Sequence, residues 1–179
     1  ILYGGHNKMN NVHQKYYQGG DFVISPISKL DIFTREDFTE EHKEIYNMVM
    51  DFDEDRVLTQ KKEIESYNPE LSKKLLDEMA ELGLLGIDIP EEFGGIDLDK
   101  ITSAIVAEAL VYSPSFAVTW AVQTGIGSLP LIWFGTQSQN EKFLPKIASG
   151  EIICAYGLSD FNFQNLHFLT KYFLIFFMI

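Results

Sequence analysis

The stretch NPELSKKLLDEMAELG, residues 68–83, contains both ends of a helix and its apolar face. Asn68 is a favourable N-cap, Pro69 suits the first helical position, and Gly83 is typical of the residue that ends a helix. Between these signals the apolar residues recur at helical spacing: Leu71, Leu75, Met79 and Leu82. The stretch therefore predicts a helix that packs one side against a protein core.

Helical and loop signals flank this stretch on both sides. In TEEHKEIYNMVMDFDEDRV, residues 39–57, Thr39 is a plausible N-cap and the apolar residues form one stripe: Ile45, Met48, Val49 and Phe52. On the other side, LLGIDIPEEFGGIDLD at 84–99 contains a proline and the pair Gly94 and Gly95. Such residues predict a loop of fixed shape, because glycine permits a positive φ.

The following segments are almost uncharged. A third helix is predicted at 99–112 and a fourth from Ser113 and Pro114 to about Gly127, and their low polarity predicts burial on all sides. A short helical piece follows, and then an amphipathic helix that opens with a capping box at Ser138 and ends at Ser149 and Gly150.

The predicted fold class is an all-α domain of five to six helices at 39–150, followed at 151–160 by the first strand of a β domain. Residues 1–38 are predicted to be an N-terminal extension, in which Ile1–Lys8 would be a translated leader before Met9. No export signal opens the chain, since a basic start with a sustained apolar core is missing.

Composition excludes several classes of protein. The 179 residues are 46% hydrophobic and 22% charged, which is typical of a globular rather than a disordered chain. Fourteen basic against 26 acidic residues give a net charge of −12, which disfavours nucleic-acid binding. The single cysteine, Cys154, excludes an intramolecular disulfide and favours a reducing compartment. A bacterial cytoplasmic location is expected, ahead of the mitochondrial matrix.

Several conspicuous residues are predicted to have no chemical role. The four histidines, His6, His13, His42 and His167, have no spacing that would form a metal site, so each is interpreted as a solvated or core residue. The acidic run at 51–56 is interpreted as a solvated helix end, and Cys154 as a small apolar filler.

Four ordered motifs resemble one enzyme family. The motifs are ELGLLGIDIPEEFGG (81–95), GIGSLPLIWFG (125–135), NEKFLPKIASGE (140–151) and AYGLSD (155–160). Together they resemble the N-terminal half of an acyl-CoA dehydrogenase, and YYQGGDFVI (16–24) is similar to what the bacterial long-chain and very-long-chain branch carries.

The resemblance implies a three-domain flavoenzyme in which FAD lies between a β-barrel domain and a C-terminal helical bundle. In that family a glutamate of the bundle removes the α-proton of a fatty acyl-CoA thioester, the β-hydride passes to FAD, and electron-transfer flavoprotein reoxidises the flavin. It also implies a homo-oligomer in the full-length protein. No catalytic residue and no metal ligand is expected in this chain, because the base belongs to the C-terminal bundle.

The resemblance also implies site residues. Tyr156, Leu158 and Ser159 match flavin-contacting positions; the alternative is a strand that alternates into a core and ends in a turn. A second set lies at the end of the helix that is similar to the acyl-pocket wall: Gln123, Thr124 and Ile126. The alternative for these is an apolar helix end packed in the core with a satisfied polar residue.

The chain departs from the family after Ser159 and Asp160, where Phe161 replaces the start of a Gly-rich turn. Residues 161–179 fit neither a strand period nor a helical stripe, which indicates a frameshift or truncation, and the apolar end is too short for a transmembrane segment. The isolated chain is therefore expected to be inactive and to expose sticky helix faces. Two alternatives remain: a non-catalytic helical binding or interaction module, and a membrane-associating tail.

Overall fold

The computed structural model describes residues 21–24, 33–157 and 174–178, with side chains described at 23–24 and 33–155. The chain divides into two units, residues 1–41 and 42–179. Three expectations concern residues outside the described ones, namely the leader before Met9, the histidines at 6, 13 and 167, and the Phe161 departure.

The first unit contains the short helix α1 (Asp21–Ile24) and a 3-10 turn at Arg35–Asp37. The backbone N–H of Thr34 donates to Oδ2 of Asp37 over 3.0 Å, which closes the start of this turn. The rings of Phe33 and Phe38 stack with their centroids 5.9 Å apart.

Between residues 40 and 148 the elements are helices joined by turns and one long loop, and the described residues after them include two strands. In chain order the elements are α2 (Glu40–Phe52), α3 (Lys61–Glu65), α4 (Pro69–Glu81), α5 (Lys100–Ala109), α6 (Pro114–Ala121), α7 (Leu129–Phe134), α8 (Gln137–Ala148), β1 (Ile153–Gly157) and β2 (Leu174–Met178). The predicted fold class, a helical domain followed by a strand, is confirmed. The short α3 was not predicted.

The acidic run after α2 is not uniformly solvated, which corrects the prediction. A π-helical turn at Asp53–Val57 continues α2, and Asp53 is fully buried although Glu54 and Asp55 are exposed. Asp53 lies four residues after the buried Val49, so the helical period places it on the packed stripe. The period of the apolar residues, and not the local charge, decides its position.

Helix α4 has the predicted boundaries. Oδ1 of Asn68 accepts a hydrogen bond from the N–H of Leu71 over 3.1 Å, and Pro69 occupies the first position. At the other end Gly83 has φ +79°, and the N–H of Leu84 donates to the carbonyl oxygen of Met79 over 2.9 Å. This pattern is a Schellman ending, which requires a left-handed residue.

The predicted loop of fixed shape is confirmed by its backbone hydrogen bonds. Ile96 and Leu98 donate to the carbonyls of Gly86 and Ile87 over 3.0 and 2.8 Å. Gly94 has φ +83°, a conformation that favours glycine. At Gly95 the backbone lies so close to Ile89 that a Cβ would be 1.9 Å from the carbonyl oxygen of Ile89.

The expectation that the two uncharged helices are buried on all sides is wrong. In α5 and α6 one face is buried, including Ile105, Phe116 and Trp120, but Val118 remains 63% exposed. Low charge therefore does not indicate burial on every side of these helices, because the rest of the described unit covers only part of their circumference.

Helix α8 begins two residues before its predicted capping box. Thr136 is the N-cap: Oγ1 of Thr136 accepts from the N–H of Gln139 over 3.3 Å, and Oε1 of Gln139 accepts from the N–H of Thr136 over 2.8 Å. The spacing Thr-x-x-Gln has the same capping chemistry as the predicted Ser-x-x-Glu, so the two starts compete. The end is as predicted, with Gly150 at φ +75° after α8.

Strand β1 pairs with β2 in antiparallel register, with Ile153 opposite Met178 and Gly157 opposite Leu174. Residues 174–178 thus form a strand although the segment 161–179 has no strand period, and a frameshift or truncation there stays a prediction. An unbroken apolar run of β-branched and aromatic residues has no alternating period, yet such a run is compatible with a strand.

Two hydrophobic clusters hold the second unit together. The larger one joins α2, α4, α5 and α6 through buried residues such as Val49, Leu75 and Phe116. The smaller one joins the loop, α8 and β1 through residues such as Ile89 and Ile147. Each fully buried aliphatic or aromatic side chain contributes about 1.5–3 kcal/mol, so the unit has cores of its own.

The continuous helical stretch Pro114–Phe134 is long and apolar enough to cross a membrane by length and composition alone. It has 21 residues and a mean hydropathy of 1.2, and 33% of the tested window is buried. Core helices of soluble proteins satisfy the same criteria. Within it Gln123, Thr124 and Ser128 are buried polar residues, and all three hydrogen-bond to backbone carbonyls.

Candidate active site

The residues predicted to face an acyl chain lie where α6 passes into a π-helical turn at Val122–Gly127. In a π-helical turn the backbone hydrogen bonds join residues five apart instead of four apart as in an α-helix, and such turns frequently occur at functional sites. This turn leads directly into α7 and contacts β1. The structure thus brings the predicted acyl-side residues close to β1, the strand that contains Tyr156.

Gln123 is fully buried and all of its polar atoms are paired with backbone. Its Nε2 donates to the carbonyl oxygens of Ile152 and Ile147 over 2.9 and 3.3 Å, and its Oε1 accepts from the N–H of Cys154 over 2.7 Å. These contacts agree with the alternative interpretation, a satisfied polar residue within the core.

The other two predicted acyl-side residues differ in exposure. Thr124 is buried and its Oγ1 donates to the carbonyl oxygen of Trp120 over 3.1 Å, whereas Ile126 is 42% exposed. Of these three residues, therefore, only Ile126 presents substantial surface in the described part of the chain. Contact between any of them and an acyl chain stays a prediction.

The predicted flavin-side residues are only partly within the described chain. The backbone of Tyr156 belongs to β1, opposite Ile175, and Leu158 and Ser159 lie outside the described residues. Flavin contact by these three positions stays a prediction.

Cys154 and Gly127 form a close contact between β1 and the π-helical turn. A Cβ at Gly127 would lie 2.3 Å from the Cβ of Cys154, so only glycine allows this approach. Burial raises the pKa of the Cys154 thiol to about 11, which keeps it protonated at neutral pH. The prediction that Cys154 is an apolar filler is confirmed by its place in the smaller cluster.

A buried polar pair lies at the start of α6. The carboxylate of Asp53 lies near the Ser113 hydroxyl, but no hydrogen bond of normal geometry joins the two groups. Desolvation raises the pKa of Asp53, and the nearby Ser113 hydroxyl and the Lys61 charge oppose this effect. Sequence reasoning missed this carboxyl; its spacing from Val49 was the signal that could have found it.

Exposed apolar side chains are frequent on α6, α7 and the turns next to them. Trp133 and Phe134 are 55% and 71% exposed, and four others accompany them: Val111, Tyr112, Val118 and Ile126. The Nζ of Lys100 lies 5.7 Å from the ring centroid of Trp133 and 2.6 Å from Oδ1 of Asp88. The expectation of exposed helix faces agrees with these side chains.

No group of three metal-ligating side chains occurs among the residues that the structure describes. His42 is buried, with its Nε2 3.9 Å from Oδ1 of Asp99. That oxygen also accepts from the N–H of Thr102 over 2.8 Å, so Asp99 acts as the N-cap of α5. The surroundings of His42 are those of a core residue.

The hydrogen bonds of β1 limit where a flavin could contact the described residues. β1 pairs with β2, and at its N-terminal end the backbone of Ile152 and Cys154 also bonds to the carboxamide of Gln123, so a ring system would contact the strand nearer its C-terminal end. That end is where Tyr156 lies. The rest of such a site would have to come from residues beyond the described ones.

Comparisons with known proteins agree on one family. Residues 39–151 match the family model described as the N-terminal domain of acyl-CoA dehydrogenases. A Bacillus subtilis protein named probable acyl-CoA dehydrogenase is 45% identical over 143 residues, which cover 80% of this chain and 24% of the relative.

Two solved structures have the same fold. A crystal structure of an acyl-CoA dehydrogenase complexed with FAD from Bacillus anthracis matches with a TM-score of 0.70 and 44% identity, over 74% of this chain and 23% of the other. A chain described as the electron transferring flavoprotein of Acidaminococcus fermentans matches with a TM-score of 0.57 and 28% identity, over 65% of this chain and 30% of the other. The chain thus spans about a quarter to a third of the matched proteins.

Proposed function

Since the chain belongs to the acyl-CoA dehydrogenase family, we propose that it supplies the helical N-terminal part of an FAD-dependent enzyme that oxidises fatty acyl-CoA thioesters at the α,β bond. The finding that carries this proposal is the 44% identity, over 74% of the chain, to a protein that binds FAD. The junction of the π-helical turn with β1 agrees with it, because it joins the predicted acyl and flavin sides.

In this proposal the residues of the chain bind and orient, and they perform no proton transfer. The bound FAD would accept the hydride from the β-carbon. The π-helical turn after α6 would form one wall of the acyl channel, with Ile126 as its exposed apolar contact. A wall of this kind excludes water, which strengthens the hydrogen bonds that polarise the thioester carbonyl.

The catalytic base, by family resemblance, lies in a C-terminal bundle. A polypeptide of these 179 residues alone is therefore expected to be inactive. We further propose that the whole protein passes its electrons to electron-transfer flavoprotein, for which the match to the Acidaminococcus chain is the support. A homo-oligomer and a bacterial cytoplasmic location are proposals of the same kind, and acyl chain length is left open.

The test begins with the source gene, sequenced past the codon for Asp160 to obtain the longest open frame, whose product is then purified. We expect that product to retain FAD and its oxidised flavin absorbance to bleach when a fatty acyl-CoA is added without oxygen. The 179-residue polypeptide is the matched control and should show no bleaching. Absence of flavin from the longer product, or no bleaching with any chain length, would overturn the proposal.

A second candidate is a non-catalytic helical binding module. The two cores of the second unit favour it, since a domain with its own cores can fold without the rest of an enzyme. Thermal unfolding of the 179-residue polypeptide distinguishes the two. A cooperative transition in a monodisperse sample supports the module, and aggregation without a transition supports the enzyme fragment.

A further inference from the structure

The side chain of Gln123 contacts the beginning of β1 as a neighbouring strand would. Its Oε1 accepts from the N–H of Cys154 over 2.7 Å and its Nε2 donates to the carbonyl of Ile152 over 2.9 Å. In a parallel ladder one residue makes the same two contacts with the residues that flank its partner. The carboxamide therefore imitates the backbone of a strand paired with Ile153.

The same side chain also connects β1 to α8. The Nε2 of Gln123 donates over 3.3 Å to the carbonyl oxygen of Ile147 in the last turn of that helix, and this oxygen also accepts from the N–H of Gly150 over 3.2 Å. One buried side chain thus joins the π-helical turn, the end of α8 and the start of β1. Gly127 supports this arrangement by allowing Cys154 to approach the turn.

We propose that Gln123 is a positioning residue that fixes the start of β1 against the π-helical turn, and with it the placement of Tyr156. That Tyr156 matters for flavin rests on the proposed function. This positioning role takes the place of the predicted contact between Gln123 and the substrate, because the carboxamide nitrogen and oxygen of Gln123 already hydrogen-bond to backbone groups.

The first experiment measures native-state amide exchange in the longest product of the source gene and in its Gln123→Met variant. Methionine keeps the volume of glutamine but makes none of its hydrogen bonds. We expect protection of the Cys154 amide to fall about tenfold or more, while amides in α4, such as that of Leu75, keep theirs. Gln137→Met, at an exposed position of α8, is the matched control and should leave the Cys154 amide unchanged.

The second variant, Gln123→Glu, keeps the volume of the side chain while pH changes the hydrogen bonds that it can form. A protonated carboxylic acid can donate to the carbonyl of Ile152 and accept from the N–H of Cys154, whereas a carboxylate has no donor and repels that carbonyl. Protection of the Cys154 amide should therefore be close to wild type at low pH and fall as pH rises through the pKa of the new acid. A residue that only fills space would not show this dependence.

Other titratable groups near this contact are the Cys154 thiol and the exposed pair Lys146 and Glu151, with Nζ and Oε1 2.7 Å apart. These groups are also present in the wild-type chain, whose pH profile therefore corrects for them. If Gln123→Met keeps wild-type protection at Cys154, if it lowers protection equally at all amides, or if Gln123→Glu follows the wild-type pH profile, the proposal is overturned.

Failure of this proposal is distinguishable from failure of the proposed function. Neither FAD nor acyl-CoA is added in the exchange experiment, and its readout compares variants of the same product, so the result depends on the contacts of Gln123. Conversely, a whole protein without flavin would overturn the proposed enzyme and leave the exchange result unaffected.

Discussion

The segment 68–98 contains ten charged residues and the segment 114–134 contains none, and the two are stabilised in different ways. The first contains α4 and the loop, which carry their own N-cap, Schellman ending and loop hydrogen bonds. The second contains α6, the π-helical turn and α7, whose buried Gln123 depends on backbone groups 24 to 31 residues away. It also leaves Phe134 71% exposed.

This difference shows that the sequence predicts structure best where the backbone groups of a segment find their hydrogen-bond partners within the same segment. A cap or a loop hydrogen bond acts over a few residues, so its partner is visible in the same stretch of sequence. A side chain that pairs with a distant backbone group gives no such signal. Predictions about the first segment therefore concern local strain, and those about the second concern long-range contacts and exposure.

The largest effect is expected from Gly95→Ala in the loop. Its new Cβ would lie 1.9 Å from the carbonyl oxygen of Ile89, which also accepts from the N–H of Asp97 over 3.0 Å. Because both atoms belong to the loop backbone, the loop would have to open. We expect the free energy of unfolding to fall by about 3 kcal/mol or more, measured by urea denaturation followed by circular dichroism.

Gly125→Ala is the matched control in the second segment. A Cβ there meets nothing within 4 Å, and the residue lies in a helical turn. Alanine should be neutral there or stabilise by up to about 1 kcal/mol. Equal losses at the two glycines would contradict the comparison between the two segments.

Trp120 connects the two segments, so Trp120→Phe tests their coupling. Its Nε1 donates to the carbonyl oxygen of Leu84 over 3.0 Å and the side chain is buried. Phenylalanine removes this donor and leaves a small cavity, so we expect a loss of about 2 kcal/mol in the same urea experiment. Trp133→Phe, at an exposed position, should change stability by less than about 0.5 kcal/mol. A loss at Trp133 that matches the loss at Trp120 would be the contradicting result.

The sequence predicted most of the fold and little of the candidate site. The boundaries of α4 were visible because Asn68 and Gly83 act on their own helix. The N-cap of α8 was misplaced because Thr136 and Ser138 both begin a capping motif, and only tertiary context selects one.

The pairing of Gln123 with Ile152 and Cys154 could not be predicted, because these partners lie beyond two intervening helices. The burial of Asp53 was visible in the helical period but was hidden by the charge of its neighbours. The sequence alone therefore could not predict long-range hydrogen bonds or the burial of a charged residue on an apolar helix face.

A smaller effect, visible as a pH slope, is expected from Asp53→Asn. Desolvation raises the pKa of Asp53 in the folded chain above its unfolded value, so folding favours the protonated acid. Its contribution to stability is fully present below the unfolded pKa of about 4 and is lost as pH rises through the folded pKa. The variant should remove this slope and be more stable than wild type by about 1 kcal/mol at neutral pH.

Urea denaturation at a series of pH values measures this slope. Asp55→Asn changes the same functional group at an exposed position of the same turn and is the control. If both variants have the same pH profile, the slope does not come from burial of Asp53.

The smallest effect on stability is expected from Phe134→Ser. Because Phe134 is 71% exposed, the free energy of unfolding should change by less than about 0.5 kcal/mol. Self-association should nevertheless decrease, because the exposed side chains of α7 contribute apolar surface available for contact between molecules. Light scattering of the 179-residue polypeptide at increasing concentration measures this. Unchanged scattering together with unchanged stability would mean that Phe134 is not part of a sticky face, and that the exposure of the second segment has no consequence at this position.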